Sequence, residues 1–342
     1  MVRATAENAA RVRTGGGYDP PSVGLAVIRI GPVLMLVVVV TIISFLSPVF
    51  LTTRNVGNVL GQTAAIAVLA LAQLLVILTR GIDLSVGSTL ALSAVVGAMV
   101  FESVQSGPVV ILAMLATGTA VGAVNGALYV YGRLPHPFIV TLATLSAARG
   151  LALWLSGGQP HRGMPDVVQT LGGGLLGWLP YSTFLVAGLA LLTLLLTTRL
   201  VWGRWIYAVG GNPEGARRAA VPVKGVLISV YVLSGLAAGV AGVITAGRLN
   251  AGSPTFGELA ELDAIAAVVI GGASFLGGRG NVANALVGAL MIGVIRNGMN
   301  LLNVDAFLQP IVIGVVILIA VELDVIRGRL EERFRVIQAV RS

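Results

Sequence analysis

The chain has no cysteine, two histidines and a single lysine among its 342 residues. Without cysteine, disulfides and thiolate metal sites are excluded, and His136 and His161 are too few and too far apart for the usual histidine-rich centre, so no metal site is expected. The lysine, Lys224, is followed by Gly225. A phosphate-binding loop needs lysine followed by serine or threonine, so the chain has no such nucleotide site, and any ATP that drives it is bound by another subunit. Charge is also scarce: 11% of residues are Asp, Glu, Lys or Arg and 56% are hydrophobic, against about 25% charged in an average soluble domain. The composition is that of an all-α integral membrane protein. Its formal net charge of +8 therefore reports placement across a bilayer and not an affinity for nucleic acid.

What is abundant is apolar sequence in runs of about twenty residues, the length that crosses a hydrocarbon core of roughly 30 Å. Val23–Leu46, Val59–Leu78, Val86–Val100, Val109–Tyr131, Phe138–Leu155, Tyr181–Thr198, Val226–Ala246, a shorter one near Ala260–Ile270, Ala283–Leu302 and Phe307–Leu323 predict about ten membrane helices. Residues 1–22 are expected to be a disordered cytoplasmic tail, 23–325 the membrane domain and 326–342 a second cytoplasmic tail. Arg54, Arg162 and Arg248 are the only basic residues in the segments that this reading puts outside. All the others except Arg149 and Arg296 fall inside, a bias that sets both termini in the cytoplasm and favours an even number of spans.

One polar, basic stretch interrupts this pattern, Gly203–Gly225, with Arg204, Arg217, Arg218, Lys224 and the single acid Glu214. Asn212 can cap a helix and Pro213 suits its first turn, so a short helix on the cytoplasmic face is expected, where another protein can grip it. A basic connector that only fixes orientation has the same composition.

Polar side chains at membrane depth point to function. Gln62 and Gln73 share a face of one span, Asn125 lies beside the stripe Gly118, Gly122 and Gly126, and Thr141, Thr144, Asn297 and Asn300 lie in later spans. Neutral amides and hydroxyls without accompanying buried carboxylates suit hydrogen bonding to a neutral polar solute, so Gln62, Gln73, Asn125, Thr141, Asn297 and Asn300 are candidates for a translocation path; bonding between helices is the alternative. The glycine stripe, and a second of Ala285, Ala289, Gly293 and Asn297, read as packing surfaces. Arg149 and Arg296 sit inside spans, where a lone charge is costly, so each is expected to face an aqueous cavity or a carboxylate; Asp263 and Asp305 are possible partners, and an Arg296–Asp263 contact is expected. In GIDLSVGS (Gly81–Ser88), Asp83 suits a cap for the helix that follows. The glycine-rich break Gly271–Gly280 is expected at the inner surface, beside the central stretch.

GIDLSVGS, PHPFIVTLATLSAARG (Pro135–Gly150), GGNPEGAR (Gly210–Arg217) and ELDAIAAVVIGGASFLGGRGN (Glu261–Asn281) with NGMNLL (Asn297–Leu302) together resemble the permease subunit of bacterial ABC importers of the ribose-type monosaccharide family. The resemblance implies a type II importer-like bundle in the inner membrane that moves ribose or a similar sugar by alternating access. It also implies two cytoplasmic ATPase subunits that bind ATP and Mg, a periplasmic or lipid-anchored sugar-binding protein and a second permease copy. Asp83 and Ser85 fall on its hallmark, and Gly211, Asn212, Glu214, Ala216 and Arg217 on its ATPase-coupling loop. Ala219, Ala220 and Pro222 depart from that loop, and Arg296 stands where asparagine is usual. An ion-coupled carrier of a small polar solute, or an ABC permease for an amino acid, are the alternatives; an intramembrane enzyme lacks a catalytic pair at membrane depth.

Overall fold

In lipid a chain has to hydrogen-bond its own backbone, which makes the helix the natural state of an uninterrupted apolar run. The computed structural model describes residues 20–319 and residue 322. Its helices are α1 (Pro20–Leu46), α2 (Thr53–Leu78), α3 (Val86–Val104), α4 (Gly107–Tyr131), α5 (Pro137–Leu155), α6 (Asp166–Gly173), α7 (Tyr181–Thr198), α8 (Val201–Gly211), α9 (Pro213–Arg218), α10 (Val223–Leu249), α11 (Ala260–Ile270) and α12 (Val282–Leu301), followed by α13 (Gln309–Ile319).

Seven of these, α2, α3, α4, α5, α7, α10 and α12, are long and apolar enough to cross a membrane. The apolar parts Gly31–Leu46 of α1 and Gln309–Ile319 of α13 are shorter, and α11 has 11 residues. By this measure seven helices qualify among the described residues, against the expected ten: α11 is short because the chain leaves helix at Leu259 and Gly271, and α13 is described only as far as Ile319. Helix α1 begins at Pro20, inside the stretch expected to be tail, while residues 1–19 and the expected tail 326–342 lie outside the described residues.

Helix α2 is the axis of the bundle. Every residue from Ala67 to Leu78 is buried, packed by α10, α12, α11 and α7. Helix α10 is the second axis and meets α4 along the glycine stripe. A Cβ added at Gly118 would strike the Gly235 carbonyl oxygen, one at Gly235 would strike that of Gly118, and Gly122 meets the Tyr231 carbonyl in the same way. Only glycine permits backbones this close, and such contact replaces the hydrophobic drive that lipid does not provide. The outer belt is apolar: Phe45, Leu112, Trp154, Leu192 and Phe307 are exposed, as suits side chains whose solvent is hydrocarbon.

Four two-residue strands join loops at the end of the bundle where α2 begins. β1 (His161–Arg162) pairs antiparallel with β4 (Ala251–Gly252), and β2 (Leu175–Leu176) with β3 (Leu179–Pro180). The first pairing ties the loop after α5 to the loop after α10. The opposite end of α2 meets α8, from which α9 follows.

Candidate functional site

The extended segment between α2 and α3 is buried among helices, so its backbone and its one carboxylate have to be satisfied by side chains. Asp83 is 1% exposed. Its Oδ1 accepts from the Ser85 N–H at 3.0 Å and the Ser85 hydroxyl at 2.7 Å, and its Oδ2 from the Ser234 hydroxyl of α10 at 2.8 Å. Asn125 of α4 donates to Ser85 Oγ at 2.8 Å, and Thr141 of α5 to the Ile82 carbonyl at 3.1 Å. In the amide orientation that matches donors to acceptors, Gln73 of α2 bridges the Asp83 N–H and carbonyl, both at 3.2 Å. Ser85 holds the N-cap position of α3 without a side-chain cap bond. The expected cap by Asp83 is thus corrected in position: its carboxylate, two residues upstream, holds the first orphan N–H and at the same time anchors α10.

Three candidates for a solute path, Gln73, Asn125 and Thr141, therefore converge on one segment and are bonded to it. Asn297 is likewise bonded to protein: its amide and that of Asn55 exchange hydrogen bonds at 2.9 and 3.0 Å, and Asn55 also donates to the Phe50 carbonyl at 2.8 Å. Gln62 is half-buried and Asn300 exposed, the latter accepting from Gln309 at 2.8 Å. The structure brings the first group together and leaves Gln62, Asn297 and Asn300 apart from it.

The two intramembrane arginines brace a different segment, residues 253–263. Arg149 donates to the carbonyls of Pro254 and Phe256, the second at 2.9 Å, where the sequence suggested a cavity or a carboxylate. Arg296 Nη2 meets both oxygens of Asp263, at 2.9 and 2.6 Å, the expected partner. Asp305 instead accepts from the Phe307 N–H at 2.8 Å.

The basic stretch forms a corner of two helices, although only the second was expected. Helix α8 buries Gly203, Ile206, Val209 and Gly210 on one face, and Trp202 ties it to α10 by donating to Ser229 Oγ at 2.8 Å. Asn212 Oδ1 then accepts from the Gly215 N–H at 2.9 Å, capping α9 with Pro213 in its first turn. Ala216 is buried while Gly211, Asn212, Glu214 and Arg217 are exposed, so α9 stands on one small apolar foot and presents its polar face outward. Glu214 pairs with Arg217 at 3.2 Å and Arg218 at 3.5 Å.

Sequence reasoning treated Arg80 only as a mark of orientation. It adopts the left-handed conformation, φ 65°, which ends α2 and aims the guanidinium at α8. There it donates to the carbonyls of Gly210 and Gly211 at 2.5 and 2.7 Å, the negative end of the α8 dipole. The break Gly271–Gly280 lies beside this corner, as expected. Gly278 donates to the Leu78 carbonyl at 2.9 Å, and Tyr207 to the Gly280 carbonyl at 2.8 Å. Burial pushes the Tyr207 hydroxyl above its ordinary range, which keeps it a donor. No group of His, Cys, Asp or Glu side chains fit to hold a metal occurs among the described residues.

Comparison with known proteins gives this arrangement its context. The chain is 42% identical over 299 residues to the ribose import permease protein RbsC of Bacillus subtilis, a match covering 86% of this chain and 92% of that protein. It is 38% identical over 299 residues to the D-allose transport system permease protein AlsC of Escherichia coli, covering 86% and 91%. To the L-arabinose ABC transporter permease protein AraH of Azospirillum brasilense it is 36% identical over 297 residues, covering 86% and 87%. No solved structure gives a significant match. Residues 55–321 match the model of the branched-chain amino acid transport system permease component, and the chain therefore belongs to that family, as a multi-pass permease of the inner membrane.

Proposed function

We propose that this chain is the membrane-spanning subunit of an ABC importer for a monosaccharide, ribose or a similar pentose or hexose. The observation that carries the reading is the 42% identity to a ribose import permease over 86% of the chain. The capped, outward-facing α9 supports a division of labour in which a separate ATPase binds ATP and Mg and pushes on Gly211, Asn212, Glu214 and Arg217, with Ala216 and Arg80 passing the force to α2. On the other face a sugar-binding protein delivers the solute, and a second permease copy completes the path, which opens alternately to each side.

The topology that suits this reading has ten crossings, with α1, α11 and α13 added to the seven long helices. Both termini, α8, α9 and Gly271–Gly280 are then cytoplasmic, in agreement with the positive-inside bias. Helix α11 crosses together with the buried chain Gly252–Pro254 that leads into it.

The test is uptake by proteoliposomes holding the chain with its ATPase and binding protein, given labelled ribose, allose, arabinose and leucine. ATP-dependent accumulation of one of the sugars, only with all partners present, is expected. Accumulation of leucine alone would move the solute class to amino acids. Uptake by the chain alone along an ion gradient would overturn the importer reading.

A further inference from the structure

Irregular backbone at membrane depth is tolerated only where protein buries it or where it lines a water-filled cavity. Two stretches of this chain meet that condition differently. Gly81–Ser85 is buried or half-buried throughout. Residues 253–259, which lead into α11, are buried at Ser253 and Pro254 but surface at Thr255, Glu258 and Leu259.

This second stretch lies near the middle of the bilayer. Helix α11 has 11 residues, about 16 Å at 1.5 Å each. It ends at the Gly271–Gly280 break beside the α8–α9 corner, so its start is half-way across a core of roughly 30 Å. Contacts with other helices fix the same level. Gly257 lies against Gly87 in the first turn of α3, where a Cβ added to either glycine would strike the carbonyl oxygen of the other. Arg149, in the second half of α5, donates to the Pro254 and Phe256 carbonyls.

At that level Glu258 is exposed and makes no hydrogen bond or ion pair among the described residues. An ionisable side chain at membrane depth faces the bundle interior or water, because hydrocarbon does not solvate it. The exposed Thr255 hydroxyl has one side-chain partner, Ser253 at 2.9 Å. On α5, Ser146 and Gly150 flank Arg149 and are exposed, and a Cβ at Gly150 would meet nothing within 4 Å. Helix α7 is different: it exposes Leu191, Leu192, Leu194 and Leu195, as lipid requires.

We propose that Ser146, Gly150, Thr255 and Glu258 form the wall of a water-filled passage at mid-membrane, and that Glu258 accepts hydrogen bonds there from hydroxyls of the passing solute. The identity of that solute, a sugar, rests on the importer reading; the presence of water does not. Two carboxylate oxygens can accept from neighbouring hydroxyls of a sugar ring, the hydroxyls of Ser146 and Thr255 can donate or accept, and Gly150 leaves space beside them. Arg149, spent on backbone carbonyls, positions the segment. Gln73, Asn125, Thr141 and Asn297, by contrast, are engaged within the protein.

The chain has no cysteine, so a single introduced thiol reports its own surroundings. Ser146→Cys and Thr255→Cys, close in size to the residues they replace, are compared with Leu192→Cys on the lipid-facing side of α7. Each is placed in the full complex with ATPase and binding protein, in nanodiscs, and treated with a quaternary-ammonium methanethiosulfonate, which does not enter hydrocarbon. Labelling of this chain is read by mass spectrometry. Only a hydrated thiol ionises and reacts, so Ser146→Cys and Thr255→Cys should react more than about tenfold faster than Leu192→Cys. In proteoliposomes, Glu258→Gln should slow sugar accumulation about tenfold at saturating loaded binding protein, as a charge-assisted hydrogen bond gives way to a neutral one. Labelling as slow as at Leu192→Cys overturns the proposal, as does unreactive Thr255→Cys that instead joins two copies by a disulfide on oxidation, which would make this face a contact between copies. Unchanged accumulation in Glu258→Gln overturns the contact with solute. The labelling needs no transport, so a complex that labels as expected yet accumulates no sugar fails the importer reading and not the passage.

Discussion

Arg149 and Arg296 face the same problem, since a guanidinium at membrane depth costs on the order of 3 kcal/mol when nothing answers it. Arg149 is answered by two backbone carbonyls that the irregular chain at Pro254–Phe256 leaves free. Arg296 is answered by a carboxylate, Asp263, whose side chain is 5% exposed against 33% for the arginine. Removing one partner of such a pair strands the other. Arg296→Gln should therefore lower the thermal midpoint of the purified chain through a loss on the order of 3 kcal/mol. The double variant with Asp263→Asn should recover most of it, because two amides can bond to each other. Tryptophan fluorescence melts of both single variants and the double variant give the coupling directly; additive losses would show that the two residues act apart. This pairing was legible in the sequence because lipid leaves a charge so few partners. The fate of Gln73, Asn125 and Thr141 was not legible: composition shows that polar groups are buried but not that the segment Ile82–Ser85 engages them, Gln73 and Thr141 through its backbone and Asn125 through the Ser85 hydroxyl, since those contacts join residues far apart in the chain.

At the scale of elements, glycine decides where helices touch. The α4–α10 seam brings Gly118 and Gly235 into mutual backbone contact, and there is no side chain there to give way. Gly118→Ala should force the helices apart and destabilise by about 1–3 kcal/mol, whereas Gly188→Ala, where a Cβ meets nothing within 4 Å, should be neutral or gain slightly in α7 from better helix propensity. Similar midpoints for the two variants would mean that the seam is loose in the membrane. The α8–α9 corner depends instead on polar groups. Asn212→Ala removes a cap worth about 1 kcal/mol, so amide hydrogens across Pro213–Arg218 should exchange several-fold faster. Arg80→Gln should extend that loosening into the last turn of α8, and unchanged exchange in both variants would show the corner to be held by packing alone. Helix α9 was readable from Asn212 and Pro213 because a cap is a local signal. Helix α8 was hidden by its own composition: glycine, arginine and aromatic residues look like loop until Trp202, Ile206 and Val209 find α10 and α2 to lie against.

Across the whole molecule the two ends differ in character. Where α2 ends, Arg80, Gly278 and Tyr207 lock α2, α8 and the Gly271–Gly280 break into one rigid platform, and α9 projects from it. Where α2 begins, short strands and arginine braces tie loops that are distant in sequence. The spans themselves were largely readable from hydropathy, but the pairing of β1 with β4 was not, because two residues per strand carry no pattern that announces a partner ninety residues away. A stiff platform under an exposed helix suits a part that receives force and passes it into the bundle.

Glu214 offers the cleanest handle on that idea. It is exposed, and its pairs with Arg217 and Arg218 are of the surface kind that contribute about 0–1 kcal/mol, so Glu214→Ala should leave the fold intact. The decisive measurement is ATP hydrolysis and sugar accumulation recorded in the same proteoliposomes, with chain, ATPase and binding protein together. The account predicts that Glu214→Ala, at unchanged thermal midpoint, abolishes accumulation and the rise in hydrolysis that loaded binding protein brings. Accumulation and stimulated hydrolysis at the unaltered rates would contradict it, and would leave α9 a basic connector that sets orientation and nothing more.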